Sequence, residues 1–153
     1  MGLGQSDFEL LLSNEQAVTT TALCEAPHDL GPLTAGNTTR NLGALGDIWL
    51  MIICREAVTS GGGSATVTFT LESDSTSAMS SATTHLTTVA IGQATLINNY
   101  VVIKTPVPNE DYEEWIGVRY TVGSGPLTAG KFTAFLGTQP FVLKQHSHAL
   151  DFA

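Results

Sequence analysis

Positive charge is scarce in this chain. Of 153 residues, 6 are Lys or Arg against 14 Asp or Glu, and the formal net charge is −8. The cations stand apart, at 40, 55, 104, 119, 131 and 144, so no basic patch forms to follow a phosphate backbone, which argues against a nucleic-acid partner. Cysteine is limited to Cys24 and Cys54. Neither belongs to a CxxC or Cys/His pattern and both have apolar neighbours, so two buried free thiols are expected. No apolar run approaches the roughly 18 residues of a membrane-spanning helix, and no membrane partner is expected. The early FELLL is short and follows no basic segment, so no secretory leader is expected either. MGLGQS and Asn37-Thr38-Thr39 fit lipidation and glycosylation patterns, but without a second anchor or a leader both read as chance.

Also missing is a helical signal. No segment carries an amphipathic 3.6-residue period for more than two turns. What is present is Thr/Val/Ala-rich alternation broken by Gly, Ser and Pro, the pattern of an all-β sandwich or barrel. AVTTTA predicts a first strand over 16–23. DIWLMIICREAV, 47–58, is the most apolar stretch and reads as a central strand. In SATVTFTLES, Ala65, Val67, Phe69 and Leu71 share one face and the Thr residues the other. With 47–58 this predicts a hairpin turning at 61–63. Residues 73–85 read as a polar loop with a short turn or, alternatively, a weak edge strand, and strands follow over 84–91, 97–107, 112–122 and 131–137. In 112–122, Trp115, Gly117 and Arg119 alternate with Ile116, Val118 and Tyr120. Trp49 and Trp115 both read as buried. The long 25–46 segment carries Pro27, Gly31, Pro32, Gly36, Gly43 and Gly46, and loops of that length in compact domains are often functional. GPLTAG occurs twice, at 31–36 and 125–130. The likeness is too short for a structural repeat. The first copy belongs to the long loop, and the second reads as a hairpin connection.

Three groups bear on chemistry. His146 and His148 would share a strand face and could hold a metal, but no third ligand is identifiable and the segment reads as a solvated tail. NEDYEE at 109–114 gathers carboxylates without an EF-hand spacing, and reads as a solvated acidic turn or a docking patch ahead of a catalytic pair. The 61–63 glycines lack the Lys and helix of a phosphate loop and read as a turn. No GxSxG, HExxH or Cys/His dyad is present. Neither an enzyme nor a cofactor is expected.

The order SNEQAVTTTA, Asp29-Leu30-Gly31, Asn41-Leu42-Gly43 and YEEWIGVRYTVGSGPLTAGKFTAFLG, spread over about Phe8 to Pro140, resembles the Bbp16-like capsid cement proteins of tailed bacteriophages. The 73–83 stretch and the QHSHALDFA tail have no place on that pattern. The resemblance implies a jelly-roll β-sandwich with an N-terminal arm, placed on the outer surface of the virion capsid. It implies the major capsid protein as partner, a homo-oligomer with a dimer favoured, and no catalytic residues. On that reading 1–15 is the arm, 16–143 the sandwich and 144–153 a C-terminal tail. Shell contacts are expected from Phe8, Leu10, Leu11 and Leu12 in the arm, the alternative being that FELLL packs against the chain's own sandwich, and from Pro32, Asn37 and Arg40 in the long loop. The competing expectation is a carbohydrate-binding sandwich, which needs exposed aromatics gathered on one face. A hydrolase using the 109–114 carboxylates needs carboxyl groups with raised pKa in a cleft.

Overall fold

A computed structural model describes residues 10–33, 40–44 and 46–138. Two-residue periodicity dictates most of what is seen. Val67, Phe69 and Leu71 point inward and are fully buried, as are Ile116, Val118 and Tyr120. Among the described residues twelve strands result: β1 (Leu11–Ala17), β2 (Ala22–Leu23), β3 (His28–Asp29), β4 (Arg40–Asn41), β5 (Ile48–Ser60), β6 (Thr66–Asp74), β7 (Thr83–Thr87), β8 (Ile91–Gly92), β9 (Val101–Pro106), β10 (Asp111–Tyr112), β11 (Trp115–Gly123) and β12 (Leu127–Thr138). There is no helix among the described residues.

The strands form an antiparallel β-sandwich. One sheet has the order β1-β12-β5-β9 and the other β2-β11-β6-β7, with β3 added to β11 and β8 to β6; β4 and β10 make a separate short ribbon. Phe69 and Tyr120 from one sheet meet Phe132 from the other, with ring centroids 5.0 and 5.3 Å apart. Burying each such ring contributes about 1.5–3 kcal/mol relative to leaving it in water. Cys24 and Cys54 are buried free thiols in this core.

Three expectations need correction. The first strand is not 16–23, and residues 11–15 are no arm: β1 runs from Leu11 and pairs with β12. Leu12 is fully buried in the chain's own core, so it is not a contact for a partner. The polar look of LLSNEQA misleads because two of its polar residues, Ser13 and Gln16, are buried and satisfied inside. Tyr120 donates to Ser13 Oγ at 2.8 Å, Ser13 donates to Gln16 Oε1 at 2.7 Å, and Gln16 Nε2 donates to the Leu23 carbonyl at 2.8 Å. Second, β5 and β6 are not a hairpin. Their glycine connection carries the chain from one sheet to the other. Third, the second GPLTAG is not a hairpin turn. β11 and β12 also lie in different sheets, and LTAG is already the start of β12. There the ladder is bulged, with Gly130 at φ +151° and Val58 against it. Alternation fixes which face a residue occupies, but it says nothing about which strand lies beside it.

Candidate functional site

The densest polar cluster lies at the end of β6, where Glu72, Ser73 and Asp74 are all buried. Glu72 accepts from Arg119 Nε at 2.9 Å and from Thr70 Oγ1 at 2.8 Å, while Arg119 Nη2 donates to the Met79 carbonyl. Asp74 accepts from the Ser81 and Thr76 amides, and the Ser81 N–H above all holds its carboxyl below the usual carboxylate range. Between them, Ser73 Oγ lies 2.7 Å from His85 Nε2, and His85 Nδ1 lies 2.7 Å from Glu110 Oε2. A β-bulge makes this possible. Leu86 pairs with Leu71 but Thr84 with Glu72, so His85 is the extra residue, re-aimed toward Ser73.

Serine, histidine and carboxylate in that order form the relay of a nucleophilic triad. Since a carboxylate only accepts, Nδ1 carries a proton toward Glu110; the role of Nε2 toward the Ser73 hydroxyl, acceptor or donor, follows from whether it carries one too. Access is what fails. Ser73 is fully buried and its oxygen already accepts the Glu113 amide at 3.1 Å, while the His85 side chain is 2% exposed. Tyr112 packs against His85, with ring centroids 4.1 Å apart and the planes tilted by 36°. Burial first, then the charge of Glu110, pushes the Tyr112 hydroxyl far up. The arrangement ties β6, β7 and the β10 segment together and offers a substrate no entry. The 109–114 carboxylates are thus partly spent on structure: Glu110 on His85, and Glu113 on Thr83 at 3.3 Å. No group of three His, Cys, Asp or Glu suited to a metal occurs among the described residues; His146 and His148 lie outside them.

Asp29-Leu30-Gly31 and Asn41-Leu42-Gly43 are one device used twice. The Gly31 amide donates to Asp29 Oδ1 at 2.7 Å, and the Gly43 amide to Asn41 Oδ1 at 3.0 Å. Each Asx turn projects its central leucine onto the core. Arg40 joins them, its guanidinium donating to the Leu30 and Gly31 carbonyls. Of the expected shell contacts, Pro32 is exposed, whereas Arg40 is half-buried in this clamp. Leu10 and Leu11 are half-buried, and Phe8 and Asn37 lie outside the described residues.

The outer faces of the two sheets differ. A sandwich normally alternates core residues with outward polar ones. Across the β2-β11-β6-β7 sheet that holds for the middle of the face, where Thr66, Thr68, Thr70, Arg119 and Thr121 point outward, with Leu23 and Trp115 as the apolar exceptions. The other sheet breaks the rule. Its register aligns Leu11, Phe135, Met51 and Lys104 in one outward row, Thr133, Ile53 and Val101 in the next, and Gly137, Trp49 and Pro106 in a third. Leu11, Trp49, Met51, Ile53 and Phe135 are half-buried and Val101 is 45% exposed. Beyond Val101, Ile97 and Tyr100 continue the apolar surface off the β9 edge. Contrary to expectation, Trp49 and Trp115 are both only half-buried; they point out of opposite sheets and form no shared stacking platform. The sequence did carry a signal for this surface. The unbroken run in DIWLMII supplies apolar side chains to both faces of β5, although only one face lines the core.

Comparison with known proteins adds a family. No curated protein matches the chain. The family model Bbp16 matches residues 12–136, from the buried Leu12 of β1 to the buried Leu136 of β12. Since that span takes in both sheets from their first strand to their last, the chain belongs to the Bbp16 family.

Proposed function

We propose that this protein is a capsid cement protein, which binds the outside of the major capsid protein shell of a tailed bacteriophage and bridges neighbouring subunits. The observation that carries the reading is the unequal dressing of the two sheets. An apolar outer sheet face beside a closed, inaccessible polar cluster suits a protein that works by covering protein surface. Membership of the Bbp16 family supports it, as do the Asx turns and the final strands on which the capsid resemblance rests.

A jelly roll is part of the same proposal. With the eight principal strands taken in chain order, the first lies beside the last (β1, β12) and the second beside the seventh (β2, β11). The third lies beside the sixth (β5, β9) and the fourth beside the fifth (β6, β7). One long hairpin wound over on itself produces that set of neighbours, and it is the double-Greek-key plan of a jelly roll. Such a fold leaves loops gathered at the two ends of the sandwich, where the Asx turns present Pro32 toward a shell.

Stabilisation then follows by mass action, because only the assembled shell offers the whole site. Purified protein added to shells stripped of it should rebind and raise the temperature at which they fall apart. Shells that neither bind the protein nor gain stability would refute the reading.

A further inference from the structure

We propose that the outer face of the β1-β12-β5-β9 sheet is the seat of this chain's own residues 139–153, which act as an intramolecular cover. Four strands about 4.8 Å apart, spanned over about 20 Å of β5, give roughly 400 Å² of planar face. That equals the largest apolar patch an ordinary monomer leaves exposed. Ile97, Tyr100 and Val101 extend it off the β9 edge. Trp49 and Lys104 already make interactions of their own; the surface to cover is that of Leu11, Met51, Ile53, Val101 and Phe135.

The point at which β12 ends selects the occupant. β12 is an inner strand of this sheet, between β1 and β5, and its last residue, Thr138, lies opposite Ile48. Residues 139–153 therefore start at one end of the face, next to the row of Gly137, Trp49 and Pro106. Fully extended they reach about 50 Å, more than twice the length of the face, so a reversal at the start is affordable in length. Pro140 gives a reason for one, since it has no N–H to carry the β12 ladder onward.

Composition points the same way. Phe141, Val142 and Leu143 form one apolar group and Leu150 and Phe152 a second, with the polar KQHSH between them. Two phenylalanine rings, at about 150–250 Å² each when buried, match a face of this area. Leu150 and Phe152 are two apart, so in an extended chain both turn to the sheet while Asp151 turns to water. That matters because the three rows of the face contain no carboxylate, on a chain of net charge −8. Residues 1–9 make a poorer cover: they are fewer, and Met1, Leu3 and Phe8 stand singly among glycines, polar residues and the acids Asp7 and Glu9.

The cover does not rest on the cement reading, but its consequence does. A tethered segment competes at an effective concentration of about millimolar, which keeps the face from other apolar surfaces in the free protein. On the cement reading a shell surface displaces it.

Alkylation of full-length Met51→Cys tests the cover, because Cys24 and Cys54 are buried and do not compete. At about 1 μM the new thiol should react slowly. Adding Phe141→Glu and Leu143→Glu should speed it at least tenfold, with the far-ultraviolet circular dichroism unchanged. Gln145→Glu in the polar stretch is the control and should leave the rate alone. A thiol that reacts fast without the charged substitutions overturns the inference, and so does a slow one that ignores them. Protection that appears only as the protein is concentrated toward 100 μM means a second copy as the occupant and overturns it equally. Shell rebinding separates the two proposals. An unprotected protein that rebinds shells removes the cover and leaves the cement reading, whereas a protected one that binds no shell removes the cement reading and leaves the cover.

Discussion

Cys24 illustrates how much one side chain can commit. The residue is 4% exposed, and its sulfur accepts the Val118 amide at 3.4 Å and lies 3.1 Å from where a Cβ on Gly117 would stand. Burial pushes the thiol up from 9.0 to about 11. The native state therefore favours the protonated thiol. Because the folded pKa is above the unfolded one, this contribution is complete below pH 9.0 and is lost as pH rises through about 11. Over that window the loss reaches about 2–3 kcal/mol. Urea midpoints taken at intervals from pH 8 to 11 should fall, and should fall less in Cys24→Ala; identical slopes in the two proteins would show that the thiol is not responsible. The burial of both cysteines was legible in their apolar neighbours. The Ser73–His85–Glu110 relay was not, because a bulge that re-aims one histidine leaves no mark on a polar stretch such as 73–85.

At the scale of elements, glycine in the second Asx turn is a steric requirement. A Cβ on Gly43 would overlap the Pro108 carbonyl oxygen and come within 2.5 Å of the Val107 oxygen, both backbone atoms with little freedom to yield. Gly43→Ala should cost about 1–3 kcal/mol, a fall in melting temperature of roughly 3–10 °C. Gly62→Ala, where the nearest atom is the Ser64 hydroxyl at 3.9 Å, is the control and should change little. Equal melting temperatures for the two variants would show that 40–44 and 107–108 do not press together as described. The segments Asp29-Leu30-Gly31 and Asn41-Leu42-Gly43 stood out in the sequence, and their shared geometry gives the physical reason. Strand faces were equally legible: every apolar residue of the 65–71 alternation is fully buried. Neighbours were not. Both supposed hairpins are passages between sheets, and β1 was hidden because Ser13 and Gln16 bury their polarity in bonds to residues distant in sequence, such as Tyr120.

For the whole molecule, three aromatic rings sit within the shared core that joins the two sheets. Phe132 stacks on Tyr120 at 5.3 Å and meets Phe69 edge-on at 5.0 Å, so its removal loosens contacts to two strands of the opposite sheet at once. Phe132→Ala should cost about 3–5 kcal/mol. Tyrosine fluorescence and far-ultraviolet circular dichroism should still report one shared unfolding transition in urea, displaced to lower concentration. Separate transitions for the two signals would mean that the sheets are independent units rather than one sandwich.

The neighbouring positions of β1 and β12 also have a mechanical consequence. Leu11 lies opposite Phe135, so the first strand begins and the last strand ends on the same side of the seam. Tension applied between those two points opens the ladder like a zip, with one rung bearing the load at a time. The ladder between β12 and β5, continued from Leu127 opposite Ser60 to Thr138 opposite Ile48, behaves differently when pulled along its length. All its rungs then share the force. A brace made from this fold is strongest when gripped through its sheets and end loops, and weakest when it hangs by its chain ends.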